Sequence, residues 1–296
     1  MTETMFPLER LDEVRANPSD FGLLQRVPLT RAGVTFPYAL GEPVGDEVPL
    51  VVLDLETTGL DAATDAIIEL GMARVQVSPS TGQVTSVDDV VSLYEDPGVP
   101  IPAESMAVHG ITDDMVAGKR IDDAVVEQWL ADDPVVVAHN ATFDRPFFEA
   151  RWPSLAGKRW ACSLRGIKWS ALGFESGKLE YLVFRNGYYF YEGHRASIDC
   201  LAVAWLLHMN PQALQALLAS EAAQQYAIKA VGAPFEVKDN LKDRGYQWKP
   251  EVWGKVWRTL ITEDDLEEEK AFLASLYHRG DQRADIQAID SRTRFL

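Results

Sequence analysis

Apolar runs broken by a few polar residues dominate the first two thirds of the chain. Residues 51–60 are hydrophobic except for Asp54, Glu56 and a closing Thr-Thr-Gly turn. Successive side chains on a strand point to opposite faces, so the two acids are predicted to share one face while Leu53 and Leu55 pack on the other. The pattern predicts a buried strand that carries two carboxylates.

Two later segments bring further polar residues next to apolar ones. Residues 134–138 form an apolar run that is followed by a polar break and a stretch with three phenylalanines. This order predicts strand, turn and helix, with Asp144 in the first turn of the helix. Residues 193–207 predict another helix, with His194 and Asp199 at its start. Taken singly, such residues are typical of macrodipole stabilisation or of a structural histidine.

The order of elements indicates the architecture of the middle of the chain. Residues 49–210 predict strand, strand, strand, helix, strand, helix, helix, an order typical of a mixed sheet flanked by helices. The third strand is predicted at residues 88–94 and the first helix at residues 121–131. Residues 160–182 are expected to form helices over the acidic groups. Glu69, inside the second apolar strand, is expected to be a hydrogen-bond partner.

The paired acids Asp54 and Glu56 have two interpretations. Two ionised carboxylates in an apolar neighbourhood repel each other, which costs several kcal/mol unless cations lie between them. A divalent metal ion would remove that cost. The alternative is a strand end that exposes two acids to solvent, and the Asp-x-Glu pattern alone does not decide between them.

Taken together and in order, the segments resemble the DEDDh superfamily of 3′-to-5′ exonucleases. The resemblance covers roughly residues 50–210. It is carried by Asp54-x-Glu56-Thr-Thr-Gly-Leu, Val108-His109-Gly110-Ile111-Thr112, His139-Asn140-x-x-Phe143-Asp144 and His194-x-x-x-x-Asp199. A histidine in the last segment favours the DEDDh branch over the branch that has a tyrosine in the corresponding role. The catalytic set shows no departure from the family pattern.

The resemblance implies a fold and a chemistry. The fold is α/β, a ribonuclease-H-like mixed five-stranded sheet flanked by helices, with a small C-terminal α/β accessory module. Asp54, Glu56, Asp144 and Asp199 would hold two Mg²⁺ or Mn²⁺ ions, which prefer hard oxygen ligands. Two such ions can activate a water and steady the leaving 3′ oxygen. His194 would take the proton of the water, a role that typically contributes about 10²–10⁴-fold.

Contacts to the substrate are implied at four further positions. In the enzymes that this chain resembles, the Thr-Thr-Gly-Leu segment approaches the terminal nucleotide, which would place Thr58 and Leu60 against its sugar and base. A simple turn with Gly59 at positive φ is a compatible alternative. His109 and Asn140 are similar candidates for contacts to base or phosphate, and a turn-forming role is the alternative for each.

Composition limits the class of protein. The 296 residues, 47% of them hydrophobic, suffice for one sizeable core and a smaller second unit. The first residues lack the basic and apolar regions of a secretory signal, and no apolar stretch reaches about 18 residues, so neither secretion nor a membrane span is expected. Cys162 and Cys200 are expected to be buried free thiols. These features indicate a cytoplasmic protein.

The net charge of −17 is unusual for a protein that binds nucleic acid. Phosphate backbones usually select a basic face, so the charge argues against broad, tight duplex binding. Part of the acidity lies at residues 263–269, which are expected to form a solvated helix face. An enzyme that binds only a short 3′ end, through metal ions, needs little basic surface. Because little basic surface would then hold the strand, weak processivity is predicted.

The chain is predicted to divide into three parts: an N-terminal extension at residues 1–48, an exonuclease domain at residues 49–210 and a Trp-rich accessory domain at residues 211–296. The N-terminal extension either packs on the core or precedes it as an arm. Residues 237–258 are dense in tryptophan and locally basic, and they resemble a small Leu-Lys-x-Arg-Gly-Tyr-x-Trp module attached to some bacterial exonucleases.

The aromatic residues of this module have two interpretations. Aromatic side chains interleaved with Lys and Arg can stack bases and hold the phosphates of single strands. The favoured alternative is that most of them form the core of a small domain: Tyr246, Trp248, Trp253 and Trp257. The basic residues can face nucleic acid in either case, so an accessory substrate-binding domain is expected.

The sequence thus predicts a metal-dependent 3′-to-5′ exonuclease that shortens single-stranded or frayed DNA ends and releases 5′ mononucleotides. One alternative is an exoribonuclease or oligoribonuclease-type enzyme with the same site, because the sequence does not show whether the site accepts or rejects the 2′-hydroxyl group of RNA. Another is a proofreading or interaction subunit with a polymerase or repair partner. The oligomeric state is left open.

Overall fold

The computed structural model describes residues 8–190, 193–251 and 254–295. The strands are, in chain order, β1 (Gln25–Arg26), β2 (Tyr38–Ala39), β3 (Val48–Thr57), β4 (Ile67–Ser78), β5 (Gln83–Tyr94), β6 (Val135–Ala138), β7 (Trp160–Cys162), β8 (Tyr188–Tyr189), β9 (Gln225–Lys229), β10 (Gln247–Glu251), β11 (Gly254–Thr262) and β12 (Asp285–Ile289). The helices are α1 (Leu11–Ala16), α2 (Ala103–His109), α3 (Asp113–Val116), α4 (Asp123–Trp129), α5 (Ala141–Arg151), α6 (Leu179–Arg185), α7 (Ala196–Met209), α8 (Pro211–Ala222), α9 (Lys238–Asp243), α10 (Leu266–Leu276) and α11 (Gly280–Arg283).

The largest sheet has six strands in the order β2-β5-β4-β3-β6-β7. Strands β3, β4 and β5 form an antiparallel meander, whereas β6 runs parallel to β3 and β7 parallel to β6. The predicted α/β class, a mixed sheet flanked by helices, is confirmed. The sheet has one strand more than the five predicted, because β2 from the N-terminal segment pairs with the edge of β5.

Two hydrophobic cores cover the two faces of this sheet. The alternating side chains of β3 divide between them, since Leu50 and Val52 pack under α7 while Val51, Leu53 and Leu55 pack under α4 and α5. A strand whose side chains are buried on both faces is expected to be an almost continuous apolar run. The pattern of residues 51–60 reflects this double burial.

Local predictions differ from the structure at several boundaries. Residues 160–182 were expected to be helical, but Trp160–Cys162 forms β7, which is fully buried and extends the sheet parallel to β6. Within this region a 3-10 helix spans Trp169–Leu172, and the first α-helix begins at Leu179. Strand β5 begins at Gln83, earlier than predicted, and the helix predicted at residues 121–131 is α4.

The N-terminal segment packs on the unit built around the six-stranded sheet over residues 25–40. Val27 and Leu29 are buried in the same core as α7, and β1 pairs in parallel with β8. Of the two alternatives for this segment, packing on the core is therefore the one observed for these residues.

The C-terminal residues form a smaller unit around a four-stranded antiparallel sheet in the order β10-β11-β9-β12. Its core contains side chains from the sheet and from α9 and α10: Ile228, Leu241, Tyr246, Trp257 and Leu273. Trp253 lies outside the described residues. The acidic run at residues 263–269 is not wholly solvated as expected, because Glu269 is buried and accepts hydrogen bonds from Arg244 Nε and Tyr246 Oη.

The C-terminal residues also contact the unit built around the six-stranded sheet. Arg145 on α5 donates hydrogen bonds to the carbonyl oxygens of Ser291 and Arg294, at 3.2 and 2.5 Å. Helix α8 packs Leu214 and Leu217 into the core under α7. The division of the chain at residue 210 stays a prediction.

Two simpler expectations concern cysteines and membranes. Cys162 and Cys200 are free and buried. Among the helices of the described residues, none is both long enough and apolar enough to cross a bilayer.

Candidate active site

Strand β3 carries the first two acids of the site. Asp54 and Glu56 follow Leu50 and Val52 at alternate positions, so they continue the face of the sheet that packs under α7. Asp54 is half-buried and Glu56 is buried. The prediction that these carboxylates share one face is met.

A glycine on the neighbouring strand lets the start of α7 approach this face. Gly71 is the β4 partner of Asp54, and a Cβ at Gly71 would lie 2.3 Å from the carbonyl carbon of Ala196. Any side chain at this position would therefore push the helix away. The close approach places Asp199, in the first turn of α7, above the acids of β3.

Glu69 fixes the start of the same helix. Its fully buried carboxylate accepts hydrogen bonds from the Ala196 N–H and from Arg195 Nε, both at 3.2 Å, and from the Ser92 hydroxyl at 2.6 Å. Glu69 is therefore a supporting hydrogen-bond partner, as expected, and Arg195 is its ion-pair partner.

His194 occupies a constrained turn before α7. Its φ of +65° lies in the left-handed region, which is uncommon for residues other than glycine and is found at functional sites. Its N–H donates to Asp199 Oδ2 at 2.8 Å, and its imidazole is exposed. Ligand atoms of Glu56, His194 and Asp199 all lie within 4.8 Å of one another.

Asp144 on α5 completes the cluster. It is 3% exposed and lines an open cavity of about 610 Å³ together with Asp54, Glu56, His194 and Asp199. The structure thus brings together, from β3, α5 and the start of α7, all five residues of the predicted catalytic set. Their chemical roles stay predictions.

The four carboxylates affect one another's protonation. Burial, reinforced by Asp199, Asp144 and Glu56, raises the pKa of Asp54 well above its usual range. Burial raises the pKa of Glu56 to about 8, and Asp199 adds to this effect. Burial also raises the pKa of Asp144 and of Asp199 to about 7. Near neutral pH, the cluster therefore keeps protons unless cations replace them.

The Thr-Thr-Gly-Leu segment forms a closed loop beside the cluster. The Thr58 hydroxyl accepts a hydrogen bond from the Ala66 N–H at 2.9 Å, so this side chain holds the loop together. Leu60 is 87% exposed and lies between the acidic cavity and a second cavity of about 580 Å³. Gly59 does not have the positive φ that a simple turn suggested; a Cβ there would lie 2.5 Å from the Asp65 carboxylate, so close approach requires the glycine.

His109 lies in the wall of the second cavity. It is 5% exposed, and its Nδ1 accepts a hydrogen bond from the Ile111 N–H at 3.0 Å. Its Nε2 is buried and has no hydrogen-bond partner among the described residues. Burial lowers the pKa of His109, so its neutral form is favoured. The turn-forming and ligand-binding interpretations of His109 are therefore compatible.

Asn140 and His139 differ in the freedom of their side chains. Asn140 lines the acidic cavity, and its Oδ1 accepts a hydrogen bond from the Thr142 hydroxyl at 3.0 Å. Both ring nitrogens of His139 are satisfied, by the Ser163 hydroxyl and the Gly177 carbonyl oxygen, each at 2.8 Å. His139 is thus a structural residue, whereas the Asn140 amide nitrogen is available in the cavity.

Sequence reasoning missed some residues of this cavity. Lys178, Glu180 and Phe190 line it beside the motif residues. Lys178 is exposed and is a cation at the mouth of an otherwise acidic cavity. It lies within a stretch expected only to cover the site, and no motif marks it. Its position shows only in the folded chain.

The family model described as RNase_T, exonuclease, matches residues 51–207, which is more than half of the chain. The chain belongs to this exonuclease family. The prediction of a hydrolytic exonuclease is therefore confirmed.

Similar proteins include two whose names refer to DNA polymerase III. A DNA polymerase III of the PolC type from Listeria innocua is 32% identical over 168 residues, which cover 54% of this chain and 11% of the relative. A DNA polymerase III subunit epsilon-like protein from Rhodobacter capsulatus is 38% identical over 125 residues, 41% of this chain and 17% of the relative. The chain thus spans only a small part of the length of these relatives.

A solved structure of exonuclease X in complex with 5′ overhanging duplex DNA is 27% identical. The similarity covers 58% of this chain and 99% of that chain, with a TM-score of 0.43. The assignment of this chain to its family rests on the family match.

Proposed function

We propose that this protein is a metal-dependent 3′-to-5′ exonuclease that acts on single-stranded or frayed DNA ends and releases 5′ mononucleotides. The observation that carries the proposal is the meeting of Asp54, Glu56, Asp144, Asp199 and His194 in one open cavity of a chain from the exonuclease family. The polymerase names of two relatives favour DNA over RNA.

The donor set suits divalent cations. Asp54, Glu56, Asp144 and Asp199 offer only carboxylate oxygens, which favour Mg²⁺ or Mn²⁺ over softer metals. Their raised pKa values indicate a cluster that is not stable as bare anions. We assign the binding of two such ions to these residues. When bound, the ions would neutralise charge on the phosphate and lower the pKa of a water.

His194 is assigned the role of general base. Its exposed imidazole lies beside Glu56 and Asp199, and the hydrogen bond from its N–H to Asp199 fixes its backbone. It would take one proton from the attacking water as the water oxygen bonds to phosphorus and the bond to the 3′ oxygen breaks. The products are a 5′ mononucleotide and a strand shortened by one residue that ends in a 3′-hydroxyl.

Four residues are assigned to the terminal nucleotide. Leu60, exposed between the two cavities, would pack against its base, and the Thr58 hydroxyl would hold the loop that carries Leu60. His109 would offer its unpaired Nε2 and Asn140 its amide nitrogen to base or phosphate oxygens. This assignment is supported by the fact that all four residues line one or both of the two cavities.

The product and the substrate preference test the proposal. Single-stranded DNA, matched duplex DNA, duplex DNA with a mismatched 3′ end and single-stranded RNA would be digested in Mg²⁺ or Mn²⁺, and the products separated by chromatography. We expect 5′ deoxymononucleotides, fastest from single strands and mismatched ends, and none with Asp54→Asn. Faster release of 5′ ribonucleotides would replace DNA with RNA as the substrate.

The names of the polymerase relatives favour a second candidate, a proofreading subunit that works with a polymerase. Co-purification with a replicative polymerase subunit, and faster removal of a mismatched than of a matched 3′ end in its presence, would support this function. Equal rates with and without the polymerase subunit would exclude it.

A further inference from the structure

A separate cavity of about 330 Å³ lies where the exonuclease part meets the C-terminal unit, and we call it the junction cleft. Its walls come from α5, the loop after β7, β9, β11 and the end of the chain, through Thr142, Arg165, Gln225, Arg258, Leu260 and Arg294. Among the described residues that line it are three arginines and no carboxylate. This is unusual in a chain with a net charge of −17.

The strand register shows which face of the C-terminal sheet forms this wall. Directly paired residues of an antiparallel sheet share a face, and Trp257 pairs with Trp248, whereas Arg258 pairs with Gln247. Trp257 packs into the core of the unit against the helices. Arg258 and Leu260 therefore lie on the opposite face, which is turned toward the exonuclease part.

Several arginines outside the junction cleft have carboxylate partners, such as Arg151, Arg244 and Arg292. Within residues 8–190, 193–251 and 254–295, no ion pair involves Arg165, which is exposed, or Arg258, which is half-buried. Arg294 is 6% exposed and donates to the carbonyl oxygens of Ser220 and Ala223, at 2.5 and 2.7 Å.

The buried guanidinium of Arg294 is only partly satisfied. Its Nε has no hydrogen-bond partner in the described part of the chain, and burial lowers its pKa. Glu221 and Asp290 act on it only as nearby charges. A buried charge without a direct ionic partner is costly, and an anion in the cleft would offset that cost.

The junction cleft lies next to the active-site cavity. Thr142 lines the cleft and donates a hydrogen bond to Asn140, which lines the active-site cavity. Leu164 lines the active-site cavity, and the next residue, Arg165, lines the cleft. A chain molecule that leaves the active site across the start of α5 therefore reaches the arginines next.

We propose that the junction cleft binds the phosphodiester backbone of the single strand whose 3′ end lies in the active-site cavity. Arg165 and Arg258 contact phosphates, which guanidinium groups bind with paired hydrogen bonds, and the exposed Leu260 contacts a sugar or base. The proposal rests on the proposed function, because that function places the 3′ end. It assigns the C-terminal unit a specific surface for substrate.

Binding without catalysis tests the cleft directly. The double variant Arg165→Gln/Arg258→Gln is compared with the charge-matched control Arg31→Gln/Arg120→Gln, whose exposed cations lie outside the cleft and outside the C-terminal unit. Fluorescence anisotropy in EDTA measures the binding of a labelled single strand of about 12 nucleotides. We expect the cleft variant to bind about tenfold more weakly. The slope of log K against log salt should fall by about 0.7 for each lost phosphate contact.

Steady-state kinetics with Mg²⁺ supply a second readout. In the cleft variant, KM for the long strand should rise about tenfold while kcat and the hydrolysis of a dinucleotide stay unchanged, because the dinucleotide does not reach the cleft. Arg165→Gln alone, at an exposed position, should give part of the same effect and guards against misfolding of the double variant.

Equal affinity and equal salt slope in the cleft variant and the wild type would overturn the proposal. So would an equal loss in the control variant, since the effect would then follow net charge alone. The two proposals can fail separately. If the strand binds through the arginines but is never shortened, the proposed exonuclease function is wrong. If the strand is shortened but its binding does not depend on the arginines, the proposal for the junction cleft is wrong.

Discussion

The active-site cavity and the junction cleft are adjacent but have opposite charge. The active-site cavity, about 610 Å³, is lined by five carboxylates: Asp54, Glu56, Asp144, Glu180 and Asp199. The cleft, about 330 Å³, is lined by three arginines and, among the described residues, by no carboxylate. Beside its carboxylates the acidic cavity needs cations to hold a phosphate, whereas the cleft can hold a phosphate directly through its arginines. In this account the acidic cavity carries out the cleavage, and the junction cleft binds the strand.

The largest expected effect concerns the acidic cavity alone. Asp54→Asn removes one proposed metal ligand and should lower the rate of strand shortening by about three orders of magnitude or more. Binding of a single strand in EDTA should stay within about twofold of the wild type, because the junction cleft is unchanged. A rate of strand shortening above a tenth of the wild-type rate would show that Asp54 is not a metal ligand. A large loss of single-strand binding would contradict the claim that cleavage and strand binding belong to different cavities.

The general base gives the second effect. His194→Ala should lower kcat by about 10²–10⁴-fold, because the attacking water then loses its proton acceptor. The Mg²⁺ concentration for half-maximal rate should change little, since the carboxylates remain. Steady-state rates across a Mg²⁺ titration check this. A shift in metal dependence with little change in kcat would instead make His194 a metal ligand.

The third effect is on stability and follows from the raised pKa of the acidic cluster. Glu56, with a pKa of about 8, and Asp144 and Asp199, with a pKa of about 7, hold protons more tightly in the folded than in the unfolded chain. Their protonated forms stabilise the metal-free protein at low pH, and this stability is lost as pH rises from about 4, the unfolded pKa of Asp and Glu, through the folded values of about 7 and 8. A loss of about 2 kcal/mol would lower Tm by roughly 4–8 °C.

Thermal unfolding in EDTA across this pH range measures the loss, and Mg²⁺ should restore Tm at pH 8 because it binds only the folded site. The matched control is Asp54→Asn, in which one interacting carboxylate is gone and the pH dependence should be weaker. A Tm that rises with pH in EDTA would contradict the raised pKa values and with them the need for cations.

The smallest expected effect is on single-strand affinity and concerns Trp248 in the C-terminal unit. Trp248 is 51% exposed but lies beside Trp257, on the face of the sheet opposite to Arg258. Trp248→Ala should therefore change the affinity for single strands in EDTA by less than about twofold. Stacking of a base on this ring would instead make the variant weaker by about 1–3 kcal/mol, and anisotropy would show it. That result would indicate that the substrate binds the face of the sheet that carries Trp248 and Trp257.

The sequence predicted the acidic cavity well for a physical reason. Asp54 and Glu56 share a strand face, and Asp144 and Asp199 each follow a break between an apolar run and a helix, so local patterns mark every member. The contacts that bring these acids together are harder to predict from the sequence. The approach of α7 depends on Gly71 and Glu69, and only the folded sheet brings these residues beside Ala196.

The junction cleft could not be predicted in this way. Arg165, Arg258 and Arg294 lie far apart in the sequence and follow no periodic pattern. Strand β7 was missed because three buried residues are too few to show alternation. Glu269 was predicted to be solvated because it belongs to the acidic run at residues 263–269, and only tertiary contact with Arg244 and Tyr246 shows that it is buried.

Direction of cleavage and metal dependence test the central claim most directly. A single-stranded DNA labelled at its 5′ end would be incubated with the purified protein in Mg²⁺ or in EDTA, and the products resolved by length. The account predicts a ladder of labelled strands that shorten one nucleotide at a time from the 3′ end in Mg²⁺, and intact strands in EDTA. Release of the label as a mononucleotide from the outset, or the same degradation in EDTA, would contradict it.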